Sequence, residues 1–315
     1  MLELHALRLT PAYHERVWGG QRLRPATPPI GEGWIVHEDD RVANGPHAGR
    51  SLAELTAEFG EALLGRVPLA RTGERFPLLI KLLDTADWLS VQVHPNDRQA
   101  AQLAGPGHFG KTEAWHILEA APDAAILCGL LPGTNHAMLA DAIRNGTVVA
   151  LARRLAVAAG DSIFIAAGTI HALGPGLLLY EVQQTSDITY RVYDWDRPQS
   201  AGRALHIEQS LAVSDPERGG EVIPPSAVPQ SSATLVSCPY FTLDALSATT
   251  AAPLDLDTHG DSFHALTAIE GQARIVGVGW VETLDRFETA IIPATCGPYQ
   301  IQAATGSKLL RSRVV

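Results

Sequence analysis

Glycine and proline punctuate this 315-residue chain so often, with 28 and 21 copies, that few stretches are long enough for an extended helix. Short β-rich runs recur between the breaks, the pattern of an antiparallel sandwich or barrel. Four helices are expected around that β core, over 51–59, 96–103, 134–144 and 207–213. Ser51 and Glu54 have the spacing of a capping box, Asn96 stands as an N-cap, and Gly60 and Asn145-Gly146 offer stops. Residues 214–237 are rich in Pro, Gly and Ser and read as a connection between domains. The expected division is therefore 1–225 and 226–315, with strands over 240–246, 263–269, 273–276 and 289–292 in the smaller part. Glu270-Gly271-Gln272 is expected to turn its middle hairpin.

Composition excludes several classes. With 34 acidic against 24 basic residues the net charge is −10, which argues against a general nucleic-acid binder, since phosphate contacts need a basic face. The most apolar runs are interrupted by Lys81, Asp84 and Asp87 or by Arg153 and Arg154, so no membrane span is expected. The first twenty residues carry His5, Arg8, His14, Glu15 and Arg16 and do not read as a signal peptide. Cys128, Cys238 and Cys296 are few and far apart, as in reduced thiols, so a cytoplasmic setting is expected. Only 3 of the 24 cations are Lys, which draws attention to Lys81 and Lys111. A compact ammonium differs from a guanidinium fork.

Three segments carry chemistry. In Trp88-Leu-Ser-Val-Gln-Val-His94-Pro-Asn-Asp97, strand alternation puts Ser90, Gln92 and His94 on one face and Leu89, Val91 and Val93 on the other. Pro95 ends the strand and leaves His94 at a rim. In Lys111-Thr-Glu-Ala-Trp-His-Ile-Leu, the same parity joins Lys111, Glu113, Trp115 and Ile117, a carboxylate entering an apolar interior where it needs a cationic partner. His116 has the opposite parity and reads as structural. The third segment runs from Gly160-Asp161 through Gly168-Thr169 to His171, then through Gly174-Pro175-Gly176 to Glu181, Asp187, Arg191 and Arg197. It resembles the second half of a cupin metal motif, with Ala166 where cupins usually carry Pro. A fainter copy, Thr289 to Tyr299, repeats the strand, small turn and strand without the histidine. Together Gln92, His94, Glu113 and His171 offer two imidazoles, a carboxylate and an amide oxygen, a donor set suited to Zn²⁺.

The chain closely resembles type I mannose-6-phosphate isomerases of the short bacterial form. The matching pieces are Arg16-Val-Trp-Gly-Gly20, Ile30-Gly-Glu-Gly-Trp34, Pro77-Leu-Leu-Ile-Lys81, Leu89 to Asp97, Gly110-Lys-Thr-Glu-Ala-Trp115, Gly168-Thr-Ile-His-Ala172 and Glu181 to Arg191. The resemblance implies a mainly β fold, a cupin-like antiparallel β-barrel (jelly roll) with peripheral helices, plus a second, smaller, metal-free cupin-like domain. It implies one zinc on His94, Glu113 and His171, with Gln92 a fourth ligand in longer relatives. Arg191 is implied as catalytic, Glu181 and Asp187 as acidic pocket positions, Lys81 and Lys111 as cationic ones, and Ser90 and Arg197 as phosphate contacts. The implied reaction interconverts mannose 6-phosphate and fructose 6-phosphate through a cis-enediol. Glu181 is the conventional acid/base carboxylate, and Arg191 either holds the intermediate or joins the proton transfer. Two alternatives share the donor set, a cupin oxygenase using Fe²⁺ and a non-catalytic sugar-binding cupin. The expected partner is a small phosphosugar, with no nucleic acid or membrane, and the chain is expected as a monomer or homodimer.

Overall fold

The structure, a computed structural model, describes residues 4–198, 203–226, 231–303 and 305–315. It is mainly β, with antiparallel sheets and short peripheral helices. The chain forms two compact units that are discontinuous in sequence. A central unit comprises Tyr13–Gly33 and Lys81–Pro225, and a terminal unit comprises Met1–Ala12, Trp34–Ile80 and Ser226–Val315. The expected division was instead continuous, 1–225 and 226–315. The early segments join the C-terminal strands because of long-range pairing that local composition does not encode. Leu7–Arg8 is a strand beside Thr289–Ile292, and Gly65 lies against Asp261 so closely that a Cβ would come within 2.5 Å of its carbonyl oxygen.

Two sheets build the central unit. One has the order Tyr190–Tyr193, Val91–Val93, His171–Leu173, Ala125–Leu130, Ala152–Ala156; the other runs Val222–Ile223, Ser162–Ile165, Glu113–Ala120, Leu177–Gln184, Leu78–Thr85, Ala12–Gly20, Ile30–Val36. Side chains from both, including Trp115, Ile117, Ile163, Leu179, Ile126, Cys128 and Leu173, form one buried core between them. The other face of the five-stranded sheet is covered by the helices His136–Arg144 and Ile207–Val213, through Leu139, Ile143 and Val213. Alternation along the strands therefore commits each residue either to the inter-sheet core or to the helix-covered face.

The terminal unit has a six-stranded sheet, Leu7–Arg8, Thr289–Ile292, His264–Glu270, Ser307–Arg313, Thr242–Ala248, Ser232–Ser237, and a four-stranded one, Leu254–Asp257, Pro298–Gln302, Ala273–Gly277, Trp280–Leu284. Glu270-Gly271-Gln272 does turn the chain, with Gly271 at φ +70°, but it makes no hairpin. His264–Glu270 and Ala273–Gly277 pair with different neighbours, so the turn passes the chain from one sheet to the other. The faint repeat has a matching form: Ser162–Ile165 to His171–Leu173 and Thr289–Ile292 to Pro298–Gln302 each cross between two sheets of their unit. The Pro/Gly/Ser-rich connection is more structured than its composition implies, since Val222–Ile223 and Ser232–Ser237 are strands; residues 227–230, Pro229 among them, lie outside the described residues.

Asp40, in the terminal unit, is 6% exposed, and its Oδ2 has no hydrogen-bond partner among the described residues. Burial pushes its carboxyl up to about 7, opposed by a backbone hydrogen bond at His37 and aided by Asp39. Between roughly pH 4 and 7 the folded chain thus keeps a proton that the unfolded chain releases, so stability falls as pH rises through that window. Asp40→Asn is expected to flatten this slope, adding about 2–4 kcal/mol at pH 8 and little near pH 4. Urea unfolding at the two pH values checks it; equal gains at both would show that ionisation is not the cause.

Candidate metal centre and active site

Strand register assembles the site. His171 pairs directly with Gln92 on one side and Cys128 on the other, and Gln92 pairs with Arg191. Directly paired residues in an antiparallel sheet present their side chains to the same face. Cys128 belongs to the inter-sheet core, so Gln92, His171 and Arg191 share the inward face. On the opposing sheet Glu113 pairs with Gln183 and Ile165, and Trp115 with Glu181 and Ile163, again inward. His94 follows the strand Val91–Val93, where its carbonyl accepts from the Gly168 amide at 2.9 Å. That bond ties the end of one ligand-bearing strand to the turn that precedes His171.

His94, Glu113 and His171 are all buried and offer ligand atoms lying within 4.8 Å of one another. His171 Nε2 is 3.2 Å from Glu113 Oε1, and His94 Nε2 is 3.5 Å from Oε2. Both rings are oriented from behind. His94 Nδ1 lies 3.0 Å from the Ile188 carbonyl and His171 Nδ1 lies 2.9 Å from the Thr169 carbonyl. A carbonyl only accepts, so each Nδ1 carries a proton and each Nε2 is the nitrogen turned toward the centre.

Charge is concentrated there. Lys111 Nζ sits 2.9 Å from Glu113 Oε2 and 3.1 Å from His94 Nε2. Burial alone would push the Glu113 carboxyl up, but the Lys111 ammonium beside it holds it well below the usual carboxylate range. Burial and the Lys111 charge hold His94 well below the usual imidazole range, so it stays neutral. Both Glu113 oxygens and His171 Nε2 are nevertheless buried without a properly aligned hydrogen bond among the described residues; Lys111 is near Oε2 but misaligned. A carboxylate so placed is costly unless a cation meets it. Two imidazoles and a carboxylate converging on one point fit a divalent transition ion of the zinc type.

Glu181 is placed differently from a free base. Its Oε1 accepts from Lys81 Nζ at 3.1 Å and its Oε2 from Trp115 Nε1 at 2.8 Å, while Lys81 also donates to Gln183 Oε1 at 2.9 Å. Trp115, fully buried, meets the His171 ring edge-on at 5.5 Å. The indole is thus a functional group that sequence reading missed: parity put it beside Glu113, but its partners are distant in the chain. Arg191 Nη1 donates to the Ala204 carbonyl at 3.1 Å. Ser90 is buried next to the strand Val91–Val93, and Asp187 is exposed. Arg197 is occupied by Asp87 at 2.6 Å, Asp194 at 3.2 Å and the Trp88 carbonyl at 2.8 Å. His116 bonds Ser162 Oγ at 3.0 Å on the opposite face, and burial pushes it down to about 4. A cleft of 530 Å³ between Asn96, Asn135, Gly168 and Arg218 contains none of the three candidate ligands, so donor chemistry marks the site.

The family model for the catalytic domain of type I phosphomannose isomerase matches residues 6–112, which takes in Lys81, Gln92, His94 and Lys111. Mannose-6-phosphate isomerase ManA of Bacillus subtilis is 35% identical over 307 residues, covering 93% of this chain and 94% of that protein. The chain belongs to the type I phosphomannose isomerase family. A crystal structure of the mannose 6-phosphate isomerase from Bacillus subtilis superposes with a TM-score of 0.86 at 31% identity, covering 98% of this chain and 99% of that one. A zinc-bound mannose 6-phosphate isomerase, 16% identical, shares the fold with a TM-score of 0.76 over 99% of this chain and 100% of its own. The cupin-like architecture of the family extends through both units of the chain, well beyond the last matching sequence piece at Arg191.

Proposed function

We propose that this phosphomannose isomerase family member interconverts mannose 6-phosphate and fructose 6-phosphate through a cis-enediol, using one zinc ion per chain, in the cytoplasm. The observation that carries the reading is the convergence of His94, Glu113 and His171 with their outer nitrogens fixed by carbonyls. These three residues would hold the ion, and Gln92, on the same face as His171, is the candidate for a further donor through its amide oxygen. Bound there, zinc supplies Lewis-acid stabilisation of the negative charge that develops on the sugar oxygens.

Moving a proton between C1 and C2 needs a group that can take and return it and cations that tolerate the enediolate. Lys111, within 3.1 Å of two of the three ligand candidates, supplies one such cation beside the ion's site. Arg191 brings a second positive charge from the adjoining inward-facing strand. Glu181 already accepts with both oxygens, so its part is to fix Trp115 and Lys81 rather than to shuttle the proton. Lys81 and Arg197 are likewise engaged by carboxylates, which leaves Ser90 of the expected phosphate contacts.

Chelation is the direct test. Protein stripped of metal is expected to lose turnover of mannose 6-phosphate and regain it with one equivalent of zinc. Activity that persists in metal-free protein refutes the reading. Free mannose is expected to be a far poorer substrate; equal efficiency would remove the phosphate from the proposal while leaving the isomerisation.

A further inference from the structure

Arg191 is held by a clamp whose centre is Asp194. A β-bulge between Arg191 and Tyr193 lets Arg191 pair with Gln92 and Tyr193 with Val91, so one faces the inter-sheet core while the other joins Val91 on the opposite face. The chain then turns through Trp195 and Asp196, both at φ +55°, a region that non-glycine residues rarely enter. Such a conformation persists only where its surroundings over-determine it. Here Trp195 Nε1 donates to the Leu89 carbonyl at 2.7 Å and Tyr193 Oη donates to Asp196 at 3.1 Å.

Asp194 itself is 4% exposed. Its carboxylate accepts from Arg203 Nε and Nη2, both at 2.6 Å, and from Arg197 Nη1 at 3.2 Å. The segment that Arg203 opens returns directly to Arg191. The Ala204 carbonyl accepts from Arg191 Nη1 at 3.1 Å, His206 Nδ1 accepts from the Arg191 amide at 3.1 Å, and the His206 amide donates to the Arg191 carbonyl at 2.8 Å. The same carboxylate offsets the charge that Arg203 would otherwise bring against Arg191. A bidentate carboxylate and guanidinium pair fixes orientation as well as charge.

We propose that Asp194 is a positioning residue for the reaction: by fastening Arg203 it fixes the 203–206 segment that aims the Arg191 guanidinium into the site. This rests on the isomerase reading and on Arg191 acting in it. In zinc-loaded protein, Asp194→Asn keeps the shape and removes the charge, and kcat is expected to fall about 10²-fold, the scale of a small misplacement of a working group. Arg203→Gln breaks the same pair from the other side and is expected to act alike, which covers the case where the Asp194 variant does not fold. In an Arg191→Ala background, Asp194→Asn is expected to cost less than about 3-fold more, because the group it aims is gone. An equal loss in both backgrounds, or wild-type kcat in both single variants, overturns the proposal. Zinc content is expected to be unchanged. A second readout is independent of turnover: modification of Arg191 by phenylglyoxal, mapped by mass spectrometry, is expected to quicken several-fold in either variant. An unchanged rate overturns the clamp even if the enzyme is active, whereas inactive wild type with quickened modification refutes the isomerase reading and leaves the clamp standing.

Discussion

Replacing His171 by Ala is expected to remove bound zinc and isomerase activity together, with turnover falling at least about 10³-fold. The magnitude follows from the stabilisation that a bound Lewis acid gives to developing charge, several kcal/mol, at about 1.4 kcal/mol per tenfold. His171 is fully buried, its Nδ1 is committed to the Thr169 carbonyl, and its Nε2 has no hydrogen bond among the described residues. The side chain is therefore arranged with Nε2 facing the centre. Without it only His94 and Glu113 remain of the three converging donors, and Lys111 is left as the cation beside Glu113. Metal analysis of purified variant, alongside an assay with mannose 6-phosphate, checks this. Full zinc content with lost turnover would show that His171 acts on substrate and is no ligand.

The second large effect concerns stability. Lys81→Met is expected to destabilise the protein by about 3–5 kcal/mol, because it leaves the Glu181 carboxylate buried with Trp115 as its remaining described donor. Burial alone would push the Lys81 ammonium down, but Glu181, and then Glu32, raise it above its ordinary value. A base whose folded pKa exceeds its unfolded one contributes fully below the unfolded value, about 10.4, and loses that contribution as pH rises through the folded one. At neutral pH the contribution is therefore complete. Combining Lys81→Met with Glu181→Leu is expected to recover much of the loss, since a buried pair is often replaceable by apolar groups while half a pair is not. Urea unfolding of the wild type and these two variants decides it. If Lys81 served the sugar phosphate instead, Lys81→Met would keep its stability and raise KM.

Local signals in the sequence were read well. The capping box of Ser51 and Glu54 has both its hydrogen bonds, Asn96 caps with Gln99 as its reciprocal partner, and the third helix, expected from Thr134, begins at His136 with Asn135 as its cap. Gly60 does end the first helix, yet two further helices, Glu61–Leu64 and Arg66–Thr72, follow at once across Gly60 and Gly65. A glycine breaks direction without saying what comes next. Parity foretold that Glu113 and Trp115 share a face, and Pro95 placed His94 at a strand end, so the three candidate ligands were legible. What was not legible lies between residues far apart in the chain. Lys81 and Glu181 are 100 positions apart and Trp115 and Glu181 are 66, so no local pattern shows that one carboxylate serves both. The hairpin expected at Gly271 failed for a related reason, since a turn looks the same locally whether it joins partners or separates sheets.

The interleaved order of the two units constrains how the molecule can be cut or recombined. The polypeptide passes between them after positions 12, 33, 80 and 225, so a gene shortened at codon 225 would keep Leu7–Arg8 without the Thr289–Ile292 strand that hydrogen-bonds to it, and the helices of 52–72 without Asp261 and Phe263. The C-terminal strands are consequently no portable cassette. Fragment complementation or domain transplantation in this lineage has to move three separate stretches of sequence at once.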